Sequence, residues 1–540
     1  MFGELRNHDT RGLVLALLLL APGTALADDI VRIRADHWTQ ADERGYGEFI
    51  TAIGQSSCRT VDDCLHDGAN PFRASDPVGA TFRSDCADLP YFLRFYYAWK
   101  RGLPFSYVRD VSPVDGARDA RYSPSGNQVE ERRDILSGQD GFGVLEAIRD
   151  DISTATYRIH PERENPQSDL YSPAIAPGAI RPGTVIYDPN GHLAIVWRIE
   201  ADGRIRYIDA HPDNSLTRGT YDQRFVRASP GMGAGFKNWR PLRLVGAREA
   251  RDGTLVGGHV VLAHNADIAD FALTQFFGTA RDNDGWRHAI FVLNGQPMDY
   301  YDYVRSRLSG GRLSFDPLHE IAEMVTSNCA DLGYRADAVS VALQAGLQNQ
   351  PHPERLPANI YGTDGDWETW STPSRDARLK TAFVQLRANA GRFLALWQAH
   401  DPRLVYGGQD LAGDMLAAYD RAAQACRIGY LRSDGSQVIF GYEEARQRLF
   451  RLSFDPYDCV ERRWGAGGAE LASCPDGQIE RRWYAAEQGL RNQTLRTYEA
   501  RMDFSLDELE AGVPGSGPAQ PPDTDTRGFL LAQLRRGARF

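Results

Sequence analysis

Between residues 181 and 213 the apolar positions fall into three short runs, which polar turn residues separate. The runs at 184–187 and 192–199 are mostly apolar, whereas the run at 204–209 alternates polar and apolar side chains. Alternation with a period of two is typical of a half-buried strand. The sequences Asp-Pro-Asn-Gly and Asp-Gly between the runs are turn signals. The pattern therefore predicts three strands that are joined by two turns.

A histidine and an acid stand at matching places in this pattern. His192 opens the middle strand, and Asp209 closes the next one. Because the intervening turn folds these strands back on each other, we expect the two side chains to approach. An imidazole that a neighbouring carboxylate orients is two thirds of a nucleophilic triad. His211 is an alternative to Asp209 as the orienting residue.

The third member of such a triad is predicted upstream, at Cys86. Residues 86–100 place bulky apolar side chains on one helical face. Pro90 is compatible with a helix only in its first turn, so we expect the helix to begin near Cys86. A helix N-terminus and a nearby imidazolium both favour a thiolate. We therefore expect the sulfur to lie within hydrogen-bond reach of His192, with a thiol pKa below the free value of about 8.5.

The chain order of these residues, cysteine then histidine then acid, is that of papain-like cysteine hydrolases. Over roughly residues 80–215 the sequence resembles the NlpC-type and CHAP-type peptidoglycan peptidases and amidases. Ala87-Asp88 differ from the small Ser-Gly residues that usually follow the NlpC-type cysteine. The likeness is carried by three short motifs, Asp85-Cys86, Pro182-Gly183-Thr184 and Gly191-His192.

The resemblance implies an α+β papain-like domain with a helix-borne cysteine and an antiparallel sheet. It implies an exported enzyme that cleaves amide or peptide bonds, in a peptide or in the stem of peptidoglycan. Cys86 would be the nucleophile, His192 the general base and Asp209 the residue that orients the base. No cofactor and no metal ion are expected.

Two other functions would use the same residues differently. A transglutaminase-like acyl transferase has the same three residue types in the same order, and it passes the acyl group to an acceptor other than water. A non-enzymatic interaction protein would keep the fold and bind a protein partner through its helical half. Three further residues are weaker candidates for substrate binding, on their positions alone: Asp85, Arg83 and Tyr187.

The chain has seven cysteines. Two pairs lie close in sequence and a third follows by elimination, namely Cys58 with Cys64, Cys459 with Cys474, and Cys329 with Cys426. Exported proteins tend to pair their thiols. The unpaired residue is then Cys86, and an odd cysteine of this kind indicates a reactive thiol.

The first 27 residues have the pattern of a signal peptide. Arg6 and Arg11 precede an apolar core at 13–21, and Ala25-Leu26-Ala27 is a small-x-small cleavage site. We therefore expect a periplasmic or secreted protein. No later stretch approaches the length of a transmembrane helix. The net charge of −11 argues against a general nucleic-acid binder.

Shifts in composition divide the rest of the chain. The predicted parts are an N-terminal arm at 28–79, the catalytic domain at 80–248, a mixed α/β connecting region at 249–318, a mostly helical domain at 319–511, and a linker with a C-terminal tail at 512–540. In the helical domain the period of 3.6 residues predicts helices at 376–400, 411–428 and 480–502.

Overall fold

The computed structural model describes residues 29–164, 167–279, 285–361, 365–370, 373–496 and 500–537. The predicted signal peptide lies outside the described residues. Within them, helices occur together with antiparallel sheets, so the chain belongs to the α+β class, as the sequence predicts. In this part of the chain no helix is both long enough and apolar enough to cross a membrane.

The N-terminal half carries the largest sheet. The elements of this half are α1 (Gln40–Gln55), α2 (Val61–His66), α3 (Leu89–Arg101), β1 (Phe105–Pro113), β2 (Asn127–Ile135), α4 (Gly141–Asp151), α5 (Thr154–Tyr157), β3 (Leu170–Tyr171), β4 (Val185–Asp188), β5 (His192–Ile199), β6 (Ile205–Ala210), β7 (Leu216–Thr220) and β8 (Gly235–Trp239). The six strands β3 to β8 form this sheet; they are antiparallel and lie in the order β3-β8-β4-β5-β6-β7, whereas β1 and β2 form a separate hairpin.

Strand β5 is buried on both faces. Leu193 and Ile195 belong to the core on one face of the sheet, and Ala194 and Val196 belong to the core on the other face. This burial explains why the predicted strand is a continuous apolar run rather than an alternating one. The three strands expected from the sequence are confirmed as β4, β5 and β6, each with bounds within one residue of the prediction.

Helix α1 lies against β5 and closes the core on one face of the sheet. Its Tyr46, Phe49 and Ile50 share that core with the aromatic side chains of α3. The helix approaches the strand most tightly at Gly54, where a Cβ atom would lie 2.2 Å from Cγ of Trp197. The segment predicted as an N-terminal arm therefore contributes a helix to the core of this half.

The segment between the six-stranded sheet and the helical half consists of short elements. Its elements are β9 (Leu242–Val245), β10 (Arg248–Glu249), β11 (Leu255–Val256), β12 (His259–Leu262), α6 (Thr274–Phe277), β13 (Phe291–Leu293), β14 (Gln296–Met298) and α7 (Tyr300–Leu308). Strand β9 pairs with β12, β10 pairs with β11, and β13 pairs with β14, all in antiparallel fashion. Helix α7 covers the second face of the six-stranded sheet through Tyr300, Tyr303 and Val304.

The C-terminal half is mostly helical, as the sequence predicts. It also contains a hairpin, in which Ile428–Leu431 pairs with Gln437–Phe440. The elements are α8 (Pro317–Gln344), α9 (Asp366–Trp370), α10 (Pro373–Gln398), α11 (Leu411–Ala425), β15 (Ile428–Leu431), β16 (Gln437–Phe440), α12 (Tyr442–Arg448), α13 (Val460–Arg463), α14 (Gln478–Ala486), α15 (Gln488–Asn492), α16 (Leu506–Glu510) and α17 (Thr526–Gly537).

Two predictions for this half are wrong in detail. The single helix expected at 480–502 is interrupted after Ala486. The break adjoins Gly489, where a Cβ atom would lie 2.2 Å from the carbonyl oxygen of Ser516, and glycine has a weak helix propensity. The end of the chain is more than a tail, because Leu530 of α17 is fully buried in the core of this half.

Three disulfides join the pairs that the sequence predicts. Cys329–Cys426 connects α8 to the end of α11, across a sequence separation of 97 residues. Cys58–Cys64 and Cys459–Cys474 close shorter loops. Among the described residues, Cys86 is the free cysteine, so the predicted pairing is confirmed.

Candidate active site

Cys86 lies in a tight turn that leads into α3. The carboxylate of Asp85 accepts hydrogen bonds from the backbone N–H groups of Ala87, at 2.7 Å, and Asp88, at 3.2 Å. These bonds hold the chain in a turn, and the regular helix begins at Leu89, with a proline in its first turn. The regular helix thus begins three residues beyond Cys86, near which the sequence predicts its start. Asp85 has a structural role in the turn.

The thiol of Cys86 lies close to the strand that carries the candidate base. Its Sγ is 3.9 Å from the carbonyl oxygen of Gly191, which directly precedes β5. The backbone N–H of Cys86 has no hydrogen-bond acceptor among the described residues. It is therefore a candidate donor to a bound ligand.

The surroundings of Cys86 favour the neutral thiol. Burial raises the pKa of Cys86 well above its ordinary value, and the charge of Asp85 raises it further, against the opposing effect of the Leu193 N–H. Asp88 and Asp209 act in the same direction as Asp85. The predicted lowering of the thiol pKa is therefore wrong for this structure. The physical reason is that acids surround the sulfur, while the helix begins beyond it.

His192 and Asp209 meet across neighbouring strands. Nε2 of His192 lies 2.6 Å from Oδ2 of Asp209, so the predicted approach of the two side chains is confirmed. Thr217 of β7 donates its hydroxyl hydrogen to the other carboxylate oxygen. Arg378 of α10 also contacts the acid, with Nη1 3.3 Å from Oδ2. Because the Asp209 side chain is only 1% exposed, these contacts hold both the acid and the imidazole in place.

The imidazole is neutral and the acid is charged. Burial and the Arg378 cation lower the pKa of His192 to about 3, against the opposing effect of Asp209. Burial alone would raise the pKa of Asp209, but the hydrogen bond from His192 and the Arg378 cation hold it well below its usual range. The neutral ring therefore donates its Nε2 proton to the carboxylate, and Nδ1 carries the lone pair that can accept a proton.

Cys86 and His192 border the same cavity, but they form no hydrogen bond with each other in the described structure. The prediction that the sulfur is hydrogen-bonded to the imidazole is therefore wrong for this state. Nδ1 of His192 also has no hydrogen-bond partner within the described part of the chain. Hydrogen bonds between catalytic groups are often long or poorly aligned before substrate binds.

His211 lies beside the histidine–acid pair without joining it. Its ring stacks on that of His192, with centroids 5.9 Å apart, and its Nε2 lies 3.3 Å from the hydroxyl oxygen of Thr217. Burial lowers the pKa of His211. The residue that holds His192 in this structure is therefore Asp209.

Two of the weaker candidates for substrate binding lie away from the cavity. The side chain of Arg83 is exposed and does not border the cavity. Tyr187 is buried in the core, where Nη1 of Arg158 lies 3.3 Å from its hydroxyl oxygen. Both predictions rested on sequence position, which does not determine the face of the fold that a side chain reaches.

The cavity at Cys86 has a volume of about 210 Å³ and is bordered by both halves of the chain. None of the residues from the helical half was predicted from the sequence. Arg375 and Arg378 are three positions apart at the start of α10 and so share a helical face, which is a local signal. Their place opposite Cys86 follows only from the tertiary fold. The helical half contributes Tyr361, Ser374, Arg375, Arg378 and Arg496.

Comparisons with known proteins give no match for this chain. No protein-family model, no curated protein and no solved structure matches it. Among the described residues, no group of three metal-binding side chains borders the cavity. The papain-like relationship stays a proposal, which rests on the three motifs and on the geometry around Cys86 and His192.

Proposed function

We propose that this chain is an exported cysteine hydrolase of the papain-like type, which cleaves amide or peptide bonds. The observation that carries the proposal is the buried His192–Asp209 pair, with a 2.6 Å contact, in the same cavity as the free thiol of Cys86. A nucleophile, a base and an orienting acid are the set that nucleophilic catalysis at a carbonyl requires. Three disulfides are typical of an oxidising compartment and so support export.

The reaction would start from a neutral thiol and a neutral imidazole. Rotation of the Cys86 side chain away from Gly191 would bring Sγ towards Nδ1 of His192. Sγ attacks the carbonyl carbon as its proton moves to Nδ1, and Asp209 stabilises the resulting imidazolium. The imidazolium gives that proton to the leaving amine as the C–N bond breaks, which leaves a thioester. Water, deprotonated by Nδ1, then hydrolyses the thioester and restores the thiol.

The turn around Cys86 would also stabilise the tetrahedral intermediate. The backbone N–H of Cys86 lacks an acceptor among the described residues, and the Asp85 carboxylate holds the turn that carries it. A fixed N–H group near the developing oxyanion stabilises the transition state more than the ground state. We therefore assign this N–H as one oxyanion donor.

The charges around the cavity favour a substrate with carboxylate groups. Among the described residues that border it, Asp85 is the one acid. Guanidinium groups bind carboxylates with paired N–H donors. Stem peptides of peptidoglycan carry such carboxylates, and we therefore propose them as the substrate. Four arginines border the cavity, Arg121, Arg375, Arg378 and Arg496, of which three also contact acids: Arg121 contacts Asp119, Arg378 contacts Asp209 and Arg496 contacts Asp188.

A thiol-directed covalent probe tests the catalytic assignment. It should label Cys86 in the folded wild-type protein, lose the label in Cys86→Ala, and label His192→Ala far more slowly. The matched control is His211→Ala, which removes a neighbouring imidazole and should keep rapid labelling. Equal labelling rates in the wild type and in His192→Ala would contradict the role of His192 as the base.

Digestion of purified peptidoglycan with the mature chain tests the substrate and the reaction. A hydrolase adds water and leaves a new amine and a new carboxylate at the cleaved bond. An acyl transferase instead joins the acyl group to a second amine, or releases ammonia without cutting the chain. Mass analysis of the products distinguishes these outcomes. An intact polymer together with a reactive Cys86 would contradict the substrate and leave the enzyme class standing.

A further inference from the structure

A second histidine–acid site lies in the helical half and shares no residue with the Cys86 cavity. Nε2 of His352 is 2.7 Å from Oδ2 of Asp455. One ligand atom from each of His352, Asp455 and Glu487 lies within 4.8 Å of the other two. Their side chains are 1%, 1% and 0% exposed. Residues far apart in the sequence thus bring three metal-ligand side chains into one buried space.

Glu487 is buried without a hydrogen-bond donor. No N–H or hydroxyl group of the described residues donates to its carboxylate, whose side-chain contact is with another carboxylate, that of Asp455, and its ion-pair contact with Nη1 of Arg491 is 3.7 Å long. Oδ2 of the nearby Asp458 is also buried without a hydrogen bond. A carboxylate buried in this way is costly unless another group compensates for the lost water. The carboxylate of Glu487 faces His352 and Asp455, so a compensating group would lie between these three side chains.

The imidazole of His352 has the orientation of a metal ligand. Its Nδ1 lies 2.6 Å from the carbonyl oxygen of Pro353 and donates to it. That bond places the proton on Nδ1 and directs Nε2 towards the acids. Trp483 stacks on the ring, with centroids 4.1 Å apart, and holds this orientation. Metal-binding histidines commonly donate their second nitrogen to a backbone carbonyl in this manner.

We propose that His352, Asp455 and Glu487 bind a divalent transition-metal cation, through Nε2 of the imidazole and oxygens of the two carboxylates. One imidazole nitrogen together with carboxylates suits Zn²⁺ or Mn²⁺. A cation among the three ligands would replace the direct contact between His352 and Asp455 and compensate the charge of Glu487. Its role would be structural, because it would join three separate segments of the helical half.

The proposal departs from the sequence-based expectation of no metal. His352 and Asp455 are 103 residues apart, and no short ligand spacing of the kind that marks zinc sites surrounds either residue. The proposal is independent of the hydrolase function, since none of its ligands borders the Cys86 cavity. It can therefore fail while the hydrolase proposal stands, and the reverse also holds.

Metal analysis and thermal unfolding of the full mature chain test the site. The protein, purified without chelator, should contain about one Zn²⁺ or Mn²⁺ per chain. After EDTA treatment, added Zn²⁺ or Mn²⁺ should raise the midpoint of thermal unfolding by several degrees, because a ligand that binds only the folded state stabilises it. Cys86→Ala should keep both results, because the thiol takes no part in this site.

Glu487→Gln keeps the shape of a proposed ligand and removes its charge. This variant should lose the bound metal and the metal-induced shift of the midpoint. The matched control is Glu461→Gln, because Glu461 is equally buried but its carboxylate accepts hydrogen bonds from Ser433 and Ser473. The control should keep the metal-induced shift even where its own midpoint is lower.

Two results would overturn the proposal. The first is a wild-type chain that holds no metal and does not respond to Zn²⁺ or Mn²⁺. In that case a proton shared between Asp455 and Glu487 is the compensating group. The second is a Glu487→Gln variant that keeps the full shift, since the cation would then bind elsewhere.

Discussion

The molecule contains two buried histidine–aspartate pairs with nearly the same contact and opposite surroundings. The Nε2–Oδ2 distance is 2.6 Å in His192–Asp209 and 2.7 Å in His352–Asp455. In the first pair, burial and Arg378 lower the pKa of His192 to about 3. In the second pair, burial alone would lower the pKa of His352, but the charge and hydrogen bond of Asp455 raise it.

The difference between the pairs shows that the contact alone does not determine the chemistry. His192 borders a cavity and keeps Nδ1 without a partner among the described residues, so it can exchange a proton with a ligand. Both ring nitrogens of His352 already contact acceptors. The partner of Nδ1 and the neighbouring charges therefore distinguish His192, a candidate base, from His352, a candidate structural residue.

Alanine at each histidine should separate activity from stability. His192→Ala should lower kcat/KM by about 10³-fold, because general-base catalysis is lost, with little change in the unfolding midpoint. His352→Ala should leave buried acids without their partner and lower the free energy of unfolding by about 3 kcal/mol, with catalysis by the folded protein kept. Rate assays on stem peptides and urea unfolding measure the two effects.

Similar behaviour of the two variants would contradict the difference between the two pairs. A His352→Ala protein as stable as the wild type would mean that the second pair contributes nothing to folding. Loss of activity in His352→Ala at full stability would instead connect the helical half to catalysis directly.

Substitution of the two acids should also affect activity at the first pair and leave it unchanged at the second. Asp209→Asn should keep the fold and lower kcat/KM by about 10³-fold, because the amide can donate to Nε2 and so favours the wrong tautomer. His211→Ala should be much milder, since His211 contacts Thr217 and not the proton on His192. The matched substitution in the second pair, Asp455→Asn, should leave the rate unchanged. A reversed order of the first two effects would make His211 the orienting residue.

The two pairs also show how much of the fold and site local patterns could predict. His192 and Asp209 are 17 residues apart in one hairpin, so turn and strand signals were sufficient to bring them together. The start of α3 differs from the expectation by three residues: the Asp85 side chain accepts from the N–H groups of Ala87 and Asp88 as an N-cap does, but the regular helix begins only at Leu89. Arg378 and the second pair depend on packing between distant segments, which no local pattern encodes.

Opposite pKa shifts predict opposite effects of pH on stability. Since the folded-state pKa of His192, about 3, lies below the ordinary 6.5, the unfolded chain binds the proton first. This residue therefore costs stability as pH falls from 6.5 towards 3, by at most about 1.4 kcal/mol per pH unit. The raised pKa of His352 acts in reverse, so its contribution is present below pH 6.5 and is lost as pH rises through the folded-state pKa.

Urea unfolding of the metal-free protein across this pH range checks the two signs. His192→Gln should be less sensitive to acid than the wild type. His352→Gln should lose stability mainly on the acidic side, which flattens the decline towards neutral and alkaline pH. Identical pH dependences in the two variants would show that the surroundings of the pairs do not differ as described.

Arg378 is the charge that most directly distinguishes the first pair from the second. Its Nη1 lies 3.3 Å from Oδ2 of Asp209, and its Nη2 lies 2.8 Å from the hydroxyl oxygen of Tyr207. After burial, this cation is the largest influence that lowers the pKa of His192. Arg378→Gln should therefore raise that pKa and move the acid limb of the pH–rate profile to higher pH, with a much smaller change in kcat/KM at neutral pH, where the imidazole stays neutral.

Two further variants separate an electrostatic role from a structural one. Arg378→Lys restores the charge and should return the acid limb towards its wild-type position. Arg392→Gln removes an arginine from the same helix that pairs with Asp302 and does not border the cavity, so it should leave the limb unchanged. If Arg378→Gln lowers the rate equally at every pH, Arg378 only holds Asp209 in place. The low pKa of His192 would then follow from burial, and the contrast between the pairs would lie in the acids around His352.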